Sequence, residues 1–199
     1  MCKQSIQLNA WHYPADKSGK GLSRPGSKAL MSTVIVFVCL GNICRSPLAA
    51  TIFEAKLKKS APLKECVQVF SAATSFEEVG NPADTRAIRV AVKHSYTAIK
   101  EHRSRHISSV CEGLDNNGQK VMFIGMDCSN IANIHRFLDK NPGLRTRASV
   151  HLFSEFHVAK DDVLSAEIAD PWYHGMAEFE AVLKQCETYA TGLLETLQG

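Results

Sequence analysis

The sequence predicts an α/β domain organised around a parallel sheet, and three observations carry that expectation. Strand-like and helix-like segments alternate from Thr33 onward, the pattern of a sheet covered on both faces by helices. Residues 176–197 repeat apolar side chains at helical spacing, giving one long closing helix. The β-branched and aromatic run Val34–Val38 stops at Cys39, and in such sheets ligands bind beyond the carboxyl ends of strands, where the strand order reverses.

Taken in order, residues 34–39 form the first expected strand. A helix is expected over 46–59, a strand over 67–71 (VQVFS) and a helix over 83–94. A third strand over 120–125 (KVMFIG) precedes a helix over 129–139, and a weaker fourth strand pattern covers 148–153 (ASVHLF). In the closing helix Met176, Phe179, Val182, Leu183, Cys186 and Tyr189 begin an apolar face that continues to Leu197. The stretch GLDNNGQK, 113–120, reads as a surface loop. Residues 1–30 are rich in Gly, Ser, Lys and Pro without apolar period and read as a disordered tail. One domain over 31–199 is left, and Met31, just before the first strand, suggests an alternative start.

Composition narrows the class. The chain of 199 residues is 45% hydrophobic and 22% charged, ordinary for a soluble globular protein. No apolar run reaches the length of a membrane span, and no secretory leader opens the chain. The net charge of +3 belongs to the tail, where five basic side chains face one acidic; the remainder holds eighteen basic and nineteen acidic. A nucleic-acid partner is therefore not expected. Seven scattered cysteines suit a reducing cytoplasm better than a disulfide scaffold, and the lack of any CxxC pair argues against structural zinc.

The segment VFVCLGNICRSP, 36–47, carries the chemistry. A short loop curling about a helix N-terminus aims backbone N–H groups inward and makes a nest for an anion. Gly41 relieves crowding, and Asn42 tolerates left-handed backbone. Arg45 adds a planar fork that grips two oxygens of a tetrahedral oxyanion. The same positive surroundings favour Cys39 as thiolate, and Ser46 is placed to donate a hydrogen bond to its sulfur. A buried packing cysteine beside a solvated arginine is the bland alternative, but it sets a cation against a helix N-terminus at an electrostatic cost. A thiolate nucleophile also needs a proton donor for the leaving oxygen. Asp84, Asp127, Asp161 and Asp162 are all available; Asp170 stands out only because Pro171 biases it toward extended backbone.

The run VFVCLGNICRSPLAATIF closely resembles the signature of the low-molecular-weight protein tyrosine phosphatases, and SAATS, VGNP, GMDCSNI and DPWYHG continue the resemblance over Thr33 to Gln198. The resemblance implies a four-stranded parallel sheet with helices on both faces and a phosphate loop after the first strand. It implies hydrolysis of phosphotyrosine and aryl phosphates through a phosphocysteine, with no metal and no cofactor. Cys39 becomes the nucleophile, Arg45 the oxyanion clamp and Asp170 the general acid, then base on water. Leu40, Gly41, Asn42, Ile43, Cys44 and Ser46 would line the phosphate, and Trp172 and Tyr173 would wall the phenyl ring. Asn42, Ser71 and His102 match a network that props the loop together with Ser46. Cys44 would capture an oxidised Cys39 as a reversible disulfide. Asp127 is expected to start the helix at 129, while Asp84, Asp161 and Asp162 are expected to be solvated surface. Cys66, Cys111, Cys128 and Cys186 are expected to be packing residues. The expected partners are phosphotyrosine-containing proteins, the expected assembly a monomer and the expected location cytoplasmic.

Three features depart from the family pattern. Relatives carry an aromatic residue about where Glu77 falls, with Phe76 one position earlier here. Ala50 stands where many carry Glu, and the segment between His102 and Lys120 is longer than usual. Two rival activities share the scaffold. Phosphoarginine phosphatases carry Thr where this loop has Ile43, and thiol-dependent arsenate reductases relay oxidation through two closely spaced downstream cysteines that have no counterpart here. A non-catalytic phosphate-binding module is the alternative from another class, though nucleophile, arginine and acid are all present.

Overall fold

The computed structural model describes residues 33–60, 63–112, 114, 119–157 and 167–198. The expected tail, Asp161, Asp162 and most of the 113–120 loop lie outside the described residues. Strands β1 (Thr33–Cys39), β2 (Val67–Ala73), β3 (Lys120–Gly125) and β4 (Ala148–Leu152) form one sheet in the order β2-β1-β3-β4, with every pair parallel. The chain leaves β1 toward one edge to build β2, then crosses to the other side of β1 for β3. The strand order therefore reverses at β1, and Cys39 ends that strand level with Ala73 of β2. Val38 pairs with Gly125 at the end of β3.

Alternation along β1 divides the core. Ile35, Phe37 and Cys39 face the layer containing α1 (Arg45–Leu57), α2 (Thr85–Lys93) and α6 (Met176–Gln198). Val34, Val36 and Val38 face the layer of α3 (Ile107–Glu112) and α4 (Cys128–Asp139), through Ile107, Val110, Ile134 and Leu138. Burial on both faces is why β1 is apolar without interruption. Helix α6 buries Phe179, Val182, Leu183, Tyr189 and Leu193, each contributing about 1.5–3 kcal/mol.

Several boundaries differ from the expected ones, for local reasons. Strand β2 continues past 71 to Ala73 because Ala72 and Ala73 pair with Val38 and Cys39. Strand β4 stops at Leu152, since Phe153–Phe156 close into a 3-10 turn. Helix α1 ends at Leu57, before the exposed pair Lys58 and Lys59. Helix α2 starts at Thr85 rather than 83 because the Asp84 carboxylate accepts the Arg86 N–H at 2.7 Å and caps it. Asp127 caps α4 in the same way, accepting the Asn130 N–H at 2.7 Å. The long segment after His102 holds α3, and α5 (Pro142–Arg145) precedes β4; elements of four to six residues are too short to show a helical period.

Gly125 brings α4 close. A Cβ there would lie 2.8 Å from Ile131 Cδ1 and 3.3 Å from Asn130 Cβ, so any larger residue would force Ile131 to shift where the helix starts against the end of β3. That approach carries Asp127 to the mouth of the sheet.

Candidate active site

The loop from Cys39 to Arg45 is held by its carbonyl groups. The Cys39 carbonyl accepts the Thr74 N–H at 3.0 Å, and that of Leu40 accepts the N–H groups of Thr74 and Ser75 at 3.1 and 2.9 Å. Ser104 Oγ donates to the Gly41 carbonyl at 2.8 Å, and His102 Nε2 meets the Asn42 carbonyl at 2.7 Å. The Ile43 carbonyl accepts the Asp84 N–H at 2.8 Å. Five successive carbonyls are thus pulled outward. In a trans peptide the next N–H points the opposite way, so the amides of residues 40 to 44 turn toward the loop's centre. Asn42 makes this curl possible with φ of 53°, left-handed backbone that asparagine tolerates. At Gly41 a Cβ would come within 3.1 Å of Glu78 Cγ.

Cys39 Sγ lies inside that ring. The Asn42 N–H donates to it at 3.3 Å and Ser46 Oγ is 3.0 Å away. Asn42 Oδ1 accepts the Arg105 N–H at 3.0 Å, which fixes the amide so that Nδ2 donates to Ser46 Oγ at 2.8 Å. The Ser46 oxygen accepts from Asn42 and keeps its own proton available for a Cys39 thiolate. Pro47 sits in the first turn of α1, where the lack of an N–H costs nothing.

Arg45 is 3% exposed, with both terminal nitrogens hydrogen-bonded. Nη1 donates to Asp127 Oδ2 at 2.5 Å and to the Ile168 carbonyl at 3.1 Å; Nη2 donates to Asp170 Oδ2 at 2.5 Å. Burial works against its charge, but Cys39, Asp170 and Asp127 outweigh it and hold the guanidinium above its ordinary pKa. Asp127 thus does more than cap α4: its second oxygen aims the arginine. Asp170 arrives because the Ile168 N–H donates to the Met126 carbonyl at 2.8 Å, pinning its segment beside the end of β3.

The large apolar side chains exposed among the described residues are Leu40, Phe76, Val79, Trp172 and Tyr173. All lie on three loops: after β1, after β2 and before α6. The same three loops carry Leu40, the Thr74 and Ser75 ties to the Cys39 loop, and Asp170 beside Arg45, so their exposed apolar side chains form a rim on the site's side of the molecule. Phe76 stacks on His106 with ring centroids 3.7 Å apart, whereas Glu77 is exposed and its N–H bonds only to Ser75 Oγ, at 3.2 Å. The aromatic side chain on this loop is therefore Phe76.

Burial pushes the Cys44 thiol up, and Asp84, Cys39 and Asp170 push it further. Burial also lowers the pKa of His102, with Arg105 and Arg103 adding to the shift against the bond to the Asn42 carbonyl. Folded His102 thus resists a proton that the unfolded chain accepts near about pH 6.5. Stability is unaffected above that value and falls as pH drops from about 6.5 toward the lower folded pKa. Partly exposed His106 shifts in the same direction, through partial burial. His102→Gln should flatten this slope in urea midpoints measured between about pH 7.5 and 5.5; an unchanged slope would assign the effect elsewhere.

Comparison with known proteins agrees with this geometry. The chain matches the family description "Low molecular weight phosphotyrosine protein phosphatase" over residues 34–199. It is 32% identical over 174 residues to the mouse protein of that name, covering 87% of this chain and 98% of the mouse one. The chain belongs to this family. Among solved structures, Primo-1 superposes with a TM-score of 0.67 at 30% identity over 82% of this chain and 97% of that one. A Drosophila arginine phosphatase superposes with a TM-score of 0.68 at 23% identity, over 83% and 98%, a likeness of fold alone.

In the structure Cys39, Arg45, Asp170, Asn42, Ser46 and His102 lie together, linked by hydrogen bonds. Ser71 is buried opposite Phe37 in β2, two positions short of the strand end, and none of the bonds about Asn42 runs to it. Asp84 is corrected: it is not solvated surface but the cap of α2, its side chain 9% exposed and paired with Arg86 at 2.8 Å. Ser104 joins the loop's supports through the Gly41 carbonyl, and only its place two residues after His102 marks it in the sequence. Cys66 and Cys186 are buried, and Cys111 and Cys128 partly so.

Proposed function

We propose that Cys39, Arg45 and Asp170 hydrolyse phosphotyrosine in proteins, and aryl phosphates, through a phosphocysteine. The observation that carries this reading is the ring of outward-tied carbonyls from Cys39 to Ile43, which turns the intervening amides onto a sulfur beside a buried guanidinium. Equatorial phosphoryl oxygens would take those amides and the Arg45 fork. Asp170 Oδ2 occupies the guanidinium edge that one oxygen needs, so binding exchanges carboxylate for phosphate and frees Asp170 to face the leaving oxygen. The Cys39 thiolate forms the S–P bond as the P–O bond to the ring breaks, and the proton of Asp170 goes to that oxygen. Water then attacks phosphorus, Asp170 takes its proton, and the S–P bond breaks to return the thiolate and phosphate. Ser46 and the Asn42 amide stabilise the departing sulfur.

The aromatic preference rests on the rim. Phe76, Trp172 and Tyr173 offer flat apolar surface to a phenyl ring, and a serine phosphate would reach the sulfur without using it. Cytoplasmic action on phosphoproteins fits Cys39, Cys44, Cys111 and Cys186, which stand as thiols. Peroxide would convert Cys39 to a sulfenic acid; condensation with the Cys44 thiol would release water and form a disulfide that external thiol reverses. The test of substrate class is phosphate release from matched phosphotyrosine, phosphoarginine and phosphoserine peptides. Phosphotyrosine should lead by about tenfold or more. Faster release from phosphoarginine would move the chain to that activity, and tight binding without release would make it a phosphate-binding module.

A further inference from the structure

Arg86 lies outside the catalytic set, yet one side chain joins two loops of the site. Nε and Nη2 donate to the two carboxylate oxygens of Asp84 at 3.0 and 2.8 Å. Nη1 donates to the His174 carbonyl at 2.8 Å. The guanidinium carbon is 4.6 Å from the Phe179 ring centroid and 5.7 Å from that of Trp172, within reach of a cation–π contact. Asp84 in turn donates its N–H to the Ile43 carbonyl of the phosphate loop. A continuous strut therefore runs from Ile43 through Asp84 and Arg86 to the segment that carries Asp170.

That segment needs support. Asp170 has a side chain 43% exposed and stands on irregular backbone ahead of α6. Upstream it is clamped at Ile168 by the Met126 carbonyl; downstream the His174 N–H closes a turn on the Pro171 carbonyl at 2.9 Å, and Arg86 grips the His174 carbonyl. We propose that Arg86 is a positioning residue for the general acid, fixing the Asp170 loop relative to the phosphate loop. The inference rests on Asp170 being the acid. Acid catalysis depends on sub-ångström placement of the proton donor, so removing the downstream clamp impairs proton delivery while the phosphate loop keeps its own ties.

The experiment compares kcat/KM for phenyl phosphate, whose leaving oxygen needs a proton, with dinitrophenyl phosphate, whose leaving group departs as an anion. Arg86→Met should lose about 10–100-fold on the phenyl ester and less than about threefold on the dinitrophenyl ester, less than the full worth of an acid catalyst. Arg86→Lys keeps the charge without the two-sided fork and should show the same selectivity, which also serves if the methionine variant folds poorly. Adding Arg86→Met to Asp170→Asn should slow the phenyl ester no further, because both act on one proton transfer. Equal losses of the Arg86 variants on both esters, with Asp170→Asn still selective, would overturn the positioning role alone. So would multiplying losses in the double variant. Absence of selectivity in Asp170→Asn would overturn the acid assignment, and the strut with it.

Discussion

In Cys39→Ser, phosphate release from phosphotyrosine peptides falls by about 10⁴-fold or more, the scale of nucleophile removal, while the loop still binds inorganic phosphate. The two halves of this expectation come from different atoms. Turnover needs a sulfur that ionises and that leaves phosphorus in the second step, and a serine hydroxyl does neither well at neutral pH. Binding needs the inward amides and Arg45, and those are held by Thr74, Ser75, Asp84, His102 and Ser104 rather than by the sulfur. Serine also keeps an acceptor for the Asn42 N–H and a partner for Ser46, so the loop has no reason to relax. Phosphate binding is read by calorimetry and release by a steady-state assay. Residual release above about one part in a hundred of wild type would mean a different nucleophile, and loss of binding would mean that the sulfur shapes the loop.

What could be read in advance follows from where the information resides. The run Val34–Val38, the glycine and asparagine of the loop and the Cys-x5-Arg spacing are local, and each constrains backbone or charge by residue type. The loop's anchors are not local. Thr74, Ser75 and Asp84 hold it through backbone N–H groups, which every residue but proline possesses, so no side-chain pattern marks them. Asp84 reads as one carboxylate among many: its pairing with Arg86, two residues on, is local, but its tie to the Ile43 carbonyl is set by how α2 docks. The displaced aromatic is similar. Glu77 occupies the expected position, but the ring that meets His106 belongs to Phe76, and the contact with a residue thirty positions away decides between them. Ser71 shows the converse: a matching letter on the correct strand, lying outside the bonds that it was expected to join.

Replacing Arg45 should separate chemistry from stability. Its guanidinium meets Asp127, Asp170 and the Ile168 carbonyl at once. In Arg45→Met two carboxylates and a carbonyl share a pocket without a cation, and the oxyanion has lost its fork. An expected loss of about 10³–10⁵ in kcat/KM follows from removing an arginine that stabilises phosphoryl transfer. In Arg45→Lys the charge survives, but one ammonium cannot place two parallel donors on two oxygens, so a loss of about 10²–10³ is expected. The cost in stability is smaller. The Asp170 side chain is 43% exposed, so its ion pair is screened and contributes about 0–1 kcal/mol. Asp127, 21% exposed beside a buried arginine, is the costlier group to strand, at about 1–3 kcal/mol. The methionine variant should therefore unfold several degrees below wild type yet remain folded at room temperature. Kinetics on an aryl phosphate, with thermal midpoints on the same samples, checks both halves. A midpoint that falls while kcat/KM holds would reduce Arg45 to a strut between Asp127 and Asp170, because a group that clamps the transferring phosphoryl cannot be removed without slowing its transfer.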